Sequence, residues 1–151
     1  MNQSRGFTLV ELLVVIAILA VLTTFVATRY INRIEDARRQ SAKNQIRAFM
    51  EAIKLYKLDS GTVPETEQGL EALVEEPTQG TLPRNWREGG YLESPRIPKD
   101  PWGNDYIYVT DEPEGYEYSI LSYGADGIDG GEDADADIES WNLDELEELE
   151  E

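Results

Sequence analysis

From Phe7 to Ala27 the chain reads FTLVELLVVIAILAVLTTFVA, an apolar run whose one charge is Glu11. Twenty-one residues at about 1.5 Å each span about 31 Å, the thickness of a bilayer core. With no Pro or Gly, the run predicts a membrane-spanning helix. The pattern then changes while the helical period continues. Arg29 to Leu58 also lacks Pro and Gly, and Ile31 and Ile34 extend the apolar face. Ala42, Ile46, Phe49, Ile53 and Tyr56 recur at steps of four and three, one face of an amphipathic helix. Arg38, Arg39, Lys43, Arg47 and Lys54 flank or oppose that face. Gly61 after Asp59-Ser60 supplies a left-handed stop. Phe7 to Leu58 therefore reads as one helix about 78 Å long.

Beyond it the elements are short. Thr66 to Val74 predicts a second helix, capped by Thr66, burying Leu70, Leu73 and Val74 and ended by Pro77. Residues 78–100 read as loop anchored by Trp86, Tyr91, Leu92 and Ile97. Asp100-Pro101-Trp102-Gly103-Asn104 is a turn. Tyr106–Val109 and Tyr116–Tyr123 predict two strands around the turn Asp111–Gly115. The class is α+β, a long helix packed on a small antiparallel sheet. The chain divides into 1–6 (leader), 7–27 (membrane helix), 28–60 (amphipathic stem), 61–141 (globular domain) and 142–151. The last stretch has leucines three apart among acids, and predicts a frayed helix or disorder.

Composition removes several function classes. The 151 residues include no Cys and no His. Disulfides, thiolate metal sites, cysteine nucleophiles and the commonest general base are thereby excluded. No phosphate-binding glycine loop is present either, so the chain is not expected to be an enzyme. The net charge is −18, unevenly spread. Residues 1–60 carry nine Lys/Arg against five Asp/Glu; residues 61–151 carry four against 26. That acidic surface repels nucleic acid and attracts cations.

Two places hold candidate chemistry. A carboxylate in a membrane helix costs about 2.5–3.5 kcal/mol at the centre and less near an interface. Glu11 therefore needs a partner, or must reach the interface or take a proton. The second place is Tyr123 to Ile138, with carboxylates at Asp126, Asp129, Glu132, Asp133, Asp135 and Asp137 among four glycines. Calcium takes six to eight oxygens from carboxylates and carbonyls on a backbone able to wrap it. The stretch is not an EF-hand, because Ile138 stands where that loop needs glycine. The residues alone leave two readings open, a solvated acidic loop and a cation site.

The octet Arg5-Gly6-Phe7-Thr8-Leu9-Val10-Glu11-Leu12 closely resembles the type IV prepilin signal. The resemblance implies cleavage by a prepilin peptidase between Gly6 and Phe7, N-methylation of Phe7 and retention of the apolar helix. It also implies that Glu11 pairs with the N-terminal amine of a neighbouring subunit, which would neutralise both charges and set axial register. Relatives often carry a proline near Thr28, which this chain lacks. The blocks YKLDSG, TEQGLEALV, PKDPWGNDY and SYGADG, with DADIESW after them, resemble the major pseudopilins of type II secretion systems. That resemblance runs from Arg5 to Trp141. It implies a type IV pilin-like fold closed by a C-terminal calcium loop. The implied Ca2+ ligands are the side chains of Asp126, Asp135 and Asp137 and the carbonyls of Tyr123 and Ile128. Asp133 is next in line, and Asp129 and Glu132 follow.

The implied function is a structural subunit that polymerises into the periplasmic pseudopilus and supports export of folded proteins across the outer membrane. The implied placement is single-pass in the inner membrane, with the C-terminal domain in the periplasm. The implied partners are copies of itself in a helical filament, minor pseudopilins, an inner-membrane assembly platform, the prepilin peptidase and the lipid bilayer. Nucleic acid is not among them. Two alternatives stand beside this reading: a type IV pilus subunit and a monomeric membrane-anchored calcium-binding module. The absence of cysteine favours secretion over a true pilin, whose last loop is often closed by a disulfide.

Overall fold

The structure, a computed structural model, describes residues 7–110, 115–132 and 135–143, with only the backbone described for 23–32. Gly6, residues 111–114 of the turn Asp111–Gly115, Asp133 and the tail from Asp144 onward lie outside the described residues. Helix α1 spans Leu9–Ser60, close to the predicted helix. It ends as the sequence predicts: Gly61 takes φ 92° and its N–H donates to the carbonyl of Lys57 at 2.8 Å. The chain falls into two compact units, Met1–Asp36 and Ala37–Glu151.

In the first unit every described residue from Phe7 to Leu22 is exposed, including Leu9, Leu12, Leu13, Ile16, Ile18 and Leu22. Among the described residues no helix is long and apolar enough to cross a membrane. The predicted span 7–27 runs into residues 23–32, whose side chains lie outside the description.

In the second unit the predicted stripe is the core. Ala42, Ile46, Phe49, Ile53 and Tyr56 are all buried, joined by Leu70, Leu73, Tyr106, Ile120 and Ile138. Aromatic edges fasten helix to domain: Phe49 meets Tyr106 at 5.1 Å and Tyr56 meets Tyr91 at 5.3 Å between ring centroids. Lys43 departs from expectation. Adjacent to Ala42 on the stripe, it is fully buried.

The predicted helix Thr66–Val74 shrinks to a 3-10 turn at Leu70–Leu73, preceded by Gly69 with no side-chain cap. Thr66 is not a cap. Its hydroxyl accepts from the Thr110 N–H at 2.9 Å and bonds the Thr110 hydroxyl at 2.8 Å, tying the segment to the sheet. Leu70 and Leu73 are buried as expected, while Val74 is half-buried. Strands β1 (Ile107–Thr110) and β2 (Tyr118–Ser122) pair antiparallel, with Tyr108 opposite Ile120. A third strand, β3 (Ile138–Glu139), was not predicted, and pairs with the far edge of β2, Ser122 opposite Ile138. Two residues are too short a run to show alternation. The folded unit also continues past Trp141, because Leu143 lies in the core at 5% exposure.

Candidate functional site

The first candidate site is the start of α1. Thr8 is the residue before the first helical turn, and Glu11 lies three residues on. The Thr8 N–H donates to Glu11 Oε2 at 2.8 Å, and the Glu11 N–H donates to Thr8 Oγ1 at 3.2 Å. This reciprocal pair is a capping box, which satisfies orphan donors at a helix start. The T-x-x-E spacing inside the octet is the sequence signal for it. Phe7 is 86% exposed beside this cap.

The second candidate site is the loop between β2 and β3. It leaves β2 at Ser122, whose hydroxyl bonds buried Asp100, and turns at once, the Gly127 N–H donating to the Tyr123 carbonyl at 3.1 Å. Asp126 Oδ1 accepts from the Ile128 N–H at 3.1 Å, a local turn that holds its carboxylate on the exposed side. Asp137 Oδ2 accepts from the Gly130 N–H at 2.9 Å, closing the loop across seven residues. Gly131 and Gly124 both crowd Asp135: a Cβ would lie 2.5 Å and 2.9 Å from its carbonyl oxygen. The Asp135 carbonyl thus lies against the two glycines, while Asp135 as a whole is exposed, as are Ile128, Asp129 and Glu132.

Asp137 is electrostatically distinct. Burial pushes its carboxyl above the ordinary aspartate value, the Gly130 hydrogen bond opposes this, and Asp129 and Asp126 add to the rise. Glu139 is raised as well, first by burial and then by Asp137. The loop thus brings Asp126, Asp129 and Asp137 into one electrostatic neighbourhood. Asp137 Oδ1 is buried with no hydrogen-bond partner among the described residues. An orphaned carboxylate oxygen is one that a hard cation would satisfy. That single atom is a donor of the kind calcium takes. Among the described residues no group of three or more acidic side chains converges closely enough to hold a metal ion, and Asp133 lies outside them.

Two grips on this loop were not legible in the sequence. Asn104 Nδ2 donates to the Gly124 carbonyl at 3.1 Å, and Arg39 Nη1 on α1 donates to the Ala136 carbonyl at 2.7 Å.

A long helix with an exposed apolar start, a stripe packed on a three-stranded sheet and an acidic final loop defines a pilin-like α+β protein. Comparison with known proteins makes this specific. The family model described as the type II secretion system (T2SS) protein G matches residues 29–141, and the prokaryotic N-terminal methylation motif matches residues 1–27. The chain belongs to the type II secretion system protein G family. Type II secretion system core protein G of Vibrio cholerae is 46% identical over 147 residues, covering 97% of this chain and 98% of that protein. The Pseudomonas aeruginosa protein of the same name is 44% identical over 141 residues, with 93% and 97% covered. A crystal structure of the major pseudopilin from the type 2 secretion system of enterohaemorrhagic Escherichia coli matches at TM-score 0.64 and 38% identity. It covers 74% of this chain and 88% of that one. The role is that of a major pseudopilin in type II secretion, and the methylation motif supports a membrane-anchored, periplasmic protein.

Proposed function

We propose that this chain is cleaved between Gly6 and Phe7, stays in the inner membrane by its apolar helix, and polymerises through that helix into a periplasmic pseudopilus. The observation that carries the reading is the state of residues 7–22: each is exposed, and Glu11 is their one charge. So large an apolar surface needs lipid before assembly and other helices after it. The two environments have similar polarity, so moving from one to the other costs little. What fixes register is the charge. A Phe7 amine freed by cleavage would meet Glu11 of the next copy, replacing the Thr8 cap bonds with an ion pair in apolar surroundings. Minor pseudopilins, the assembly platform and the peptidase are the partners this route requires. The chain contributes no catalysis; it is the peptidase's substrate.

The acidic loop is proposed to hold one structural calcium ion. Asp126, Asp135 and Asp137 would supply carboxylate oxygens, the Tyr123 and Ile128 carbonyls backbone oxygens, and Asp133 a further carboxylate. The ion would offset repulsion among these carboxylates and stabilise the folded unit by linkage.

N-terminal mass spectrometry of the membrane fraction, together with crosslinking, tests the assembly reading. A methylated Phe7 start and a ladder of multimers are expected. A chain that begins at Met1, has lost the apolar run, or crosslinks only as monomer refutes it. Melting with calcium against excess EGTA tests the loop: a lower Tm in EGTA is expected, and coincident curves would refute the ion.

A further inference from the structure

We infer that Arg39 and Asn104 are positioning residues of the acidic loop, gripping one backbone carbonyl beside each of its ligand-bearing ends. As ligand-positioning groups they rest on the calcium reading above; as loop anchors they do not.

Each grip is itself held. Asn104 closes the turn begun by Asp100, a residue only 5% exposed. The Asn104 N–H donates to Asp100 Oδ1 at 2.7 Å, and Asp100 Oδ2 accepts from Ser122 at 2.7 Å. The amide of Asn104 then reaches the Gly124 carbonyl, which lies between Tyr123 and Asp126. Gly127 closes over that amide, since a Cβ there would lie 3.2 Å from Asn104 Oδ1. At the other end, Arg39 projects from α1, one turn before buried Lys43. Its bond to the Ala136 carbonyl joins residues 97 apart in sequence, between Asp135 and Asp137. The gripped ends also touch each other, Gly124 lying against the Asp135 carbonyl. A loop shaped in advance loses less conformational freedom on binding an ion.

The charge of Arg39 makes its role separable. A cation close to a calcium site weakens binding by repulsion. Were Arg39 only a nearby charge, removing it would tighten calcium. As a positioning residue, its loss weakens calcium despite the relief of repulsion.

The test uses the full chain in detergent, comparing wild type with Arg39→Gln, Arg39→Lys and Asn104→Ala. Amide hydrogen exchange is read in EGTA, and calcium affinity by titration. Arg39→Gln and Asn104→Ala are expected to speed exchange across Gly124–Ile138 on the order of tenfold while leaving Ile46–Tyr56 unchanged. Calcium affinity is expected to fall about tenfold or more. Arg39→Lys, which keeps a charged donor, restores most of both. Unchanged loop exchange, equal acceleration throughout Ile46–Tyr56, or tighter calcium in Arg39→Gln would overturn the proposal. A wild type that shows no calcium response removes the calcium reading, and the exchange data still decide whether the two residues anchor the loop.

Discussion

The hydroxyl of Ser122 donates to the buried carboxylate of Asp100 at 2.7 Å, fastening the end of β2 to the turn that precedes β1. The other oxygen of Asp100 accepts from the Trp102 and Asn104 N–H groups at 3.1 Å and 2.7 Å. Asp100→Ala therefore leaves three donors without their partner. The expected cost is about 2–4 kcal/mol, a fall in Tm of about 10 °C or more. Ser122→Ala removes a single donor from that buried carboxylate and should cost less than Asp100→Ala, about 1.5–3 kcal/mol. Thermal melts followed by circular dichroism check both values and their order.

Gly130 and Gly131 have nearly the same backbone, φ 100° and 93°, and differ in their surroundings. A Cβ at Gly130 meets nothing within 4 Å, whereas one at Gly131 meets the Asp135 carbonyl at 2.5 Å. Both alanine variants carry the left-handed penalty, about 1–2 kcal/mol. Gly131→Ala should cost about 1–3 kcal/mol more, because the loop must open around it. Equal Tm values would mean that the Gly131–Asp135 approach contributes nothing.

Glu11 caps the start of α1 in this structure and is proposed to pair with the amine of the next copy, and one substitution separates the two. Glutamine preserves a capping box, whereas it cannot pair with an amine as an anion. Glu11→Gln should therefore leave cleavage and helix start intact while abolishing crosslinked multimers. Glu11→Ala should lose both cap and multimers. Normal filaments from Glu11→Gln would assign Glu11 to capping alone.

Asp137 and Glu139 are both raised above ordinary carboxylate values. A carboxyl raised in the folded state holds more protons folded than unfolded between the two values, so its contribution is full below the unfolded value. It is lost as pH rises through the folded one. Without calcium, stability should thus rise from these two groups as pH falls from neutral toward the carboxylate range. Stability linked to the proposed calcium ion would move the other way, since the ion needs the charged form. In EGTA, Asp137→Asn should flatten the decline of Tm with rising pH and gain most near neutrality. A slope matching wild type would contradict the burial of this carboxyl.

Much of the architecture was legible because it is local. A helix declares itself by a four-and-three spacing, and the stripe from Ala42 to Tyr56 is buried as that spacing demands. The short pieces were harder to read. Thr66 has a cap's chemistry, yet its hydroxyl is bound to Thr110, 44 residues away. Ile138–Glu139 is too short to announce a strand, and becomes one because the edge of β2 is available to it. The candidate loop is visible as carboxylates among glycines, whereas Asp137 as its half-buried member is not.

Local pattern sufficed for the long helix, its apolar start, its single charge and the prepilin-like octet, because each depends on residues a few positions apart. That Lys43 is buried, that Leu143 belongs to the folded unit, and that Arg39 and Asn104 hydrogen-bond the acidic loop emerged only in the folded chain. Those outcomes depend on which backbone groups meet once the chain has folded over itself, and no local period encodes such a meeting.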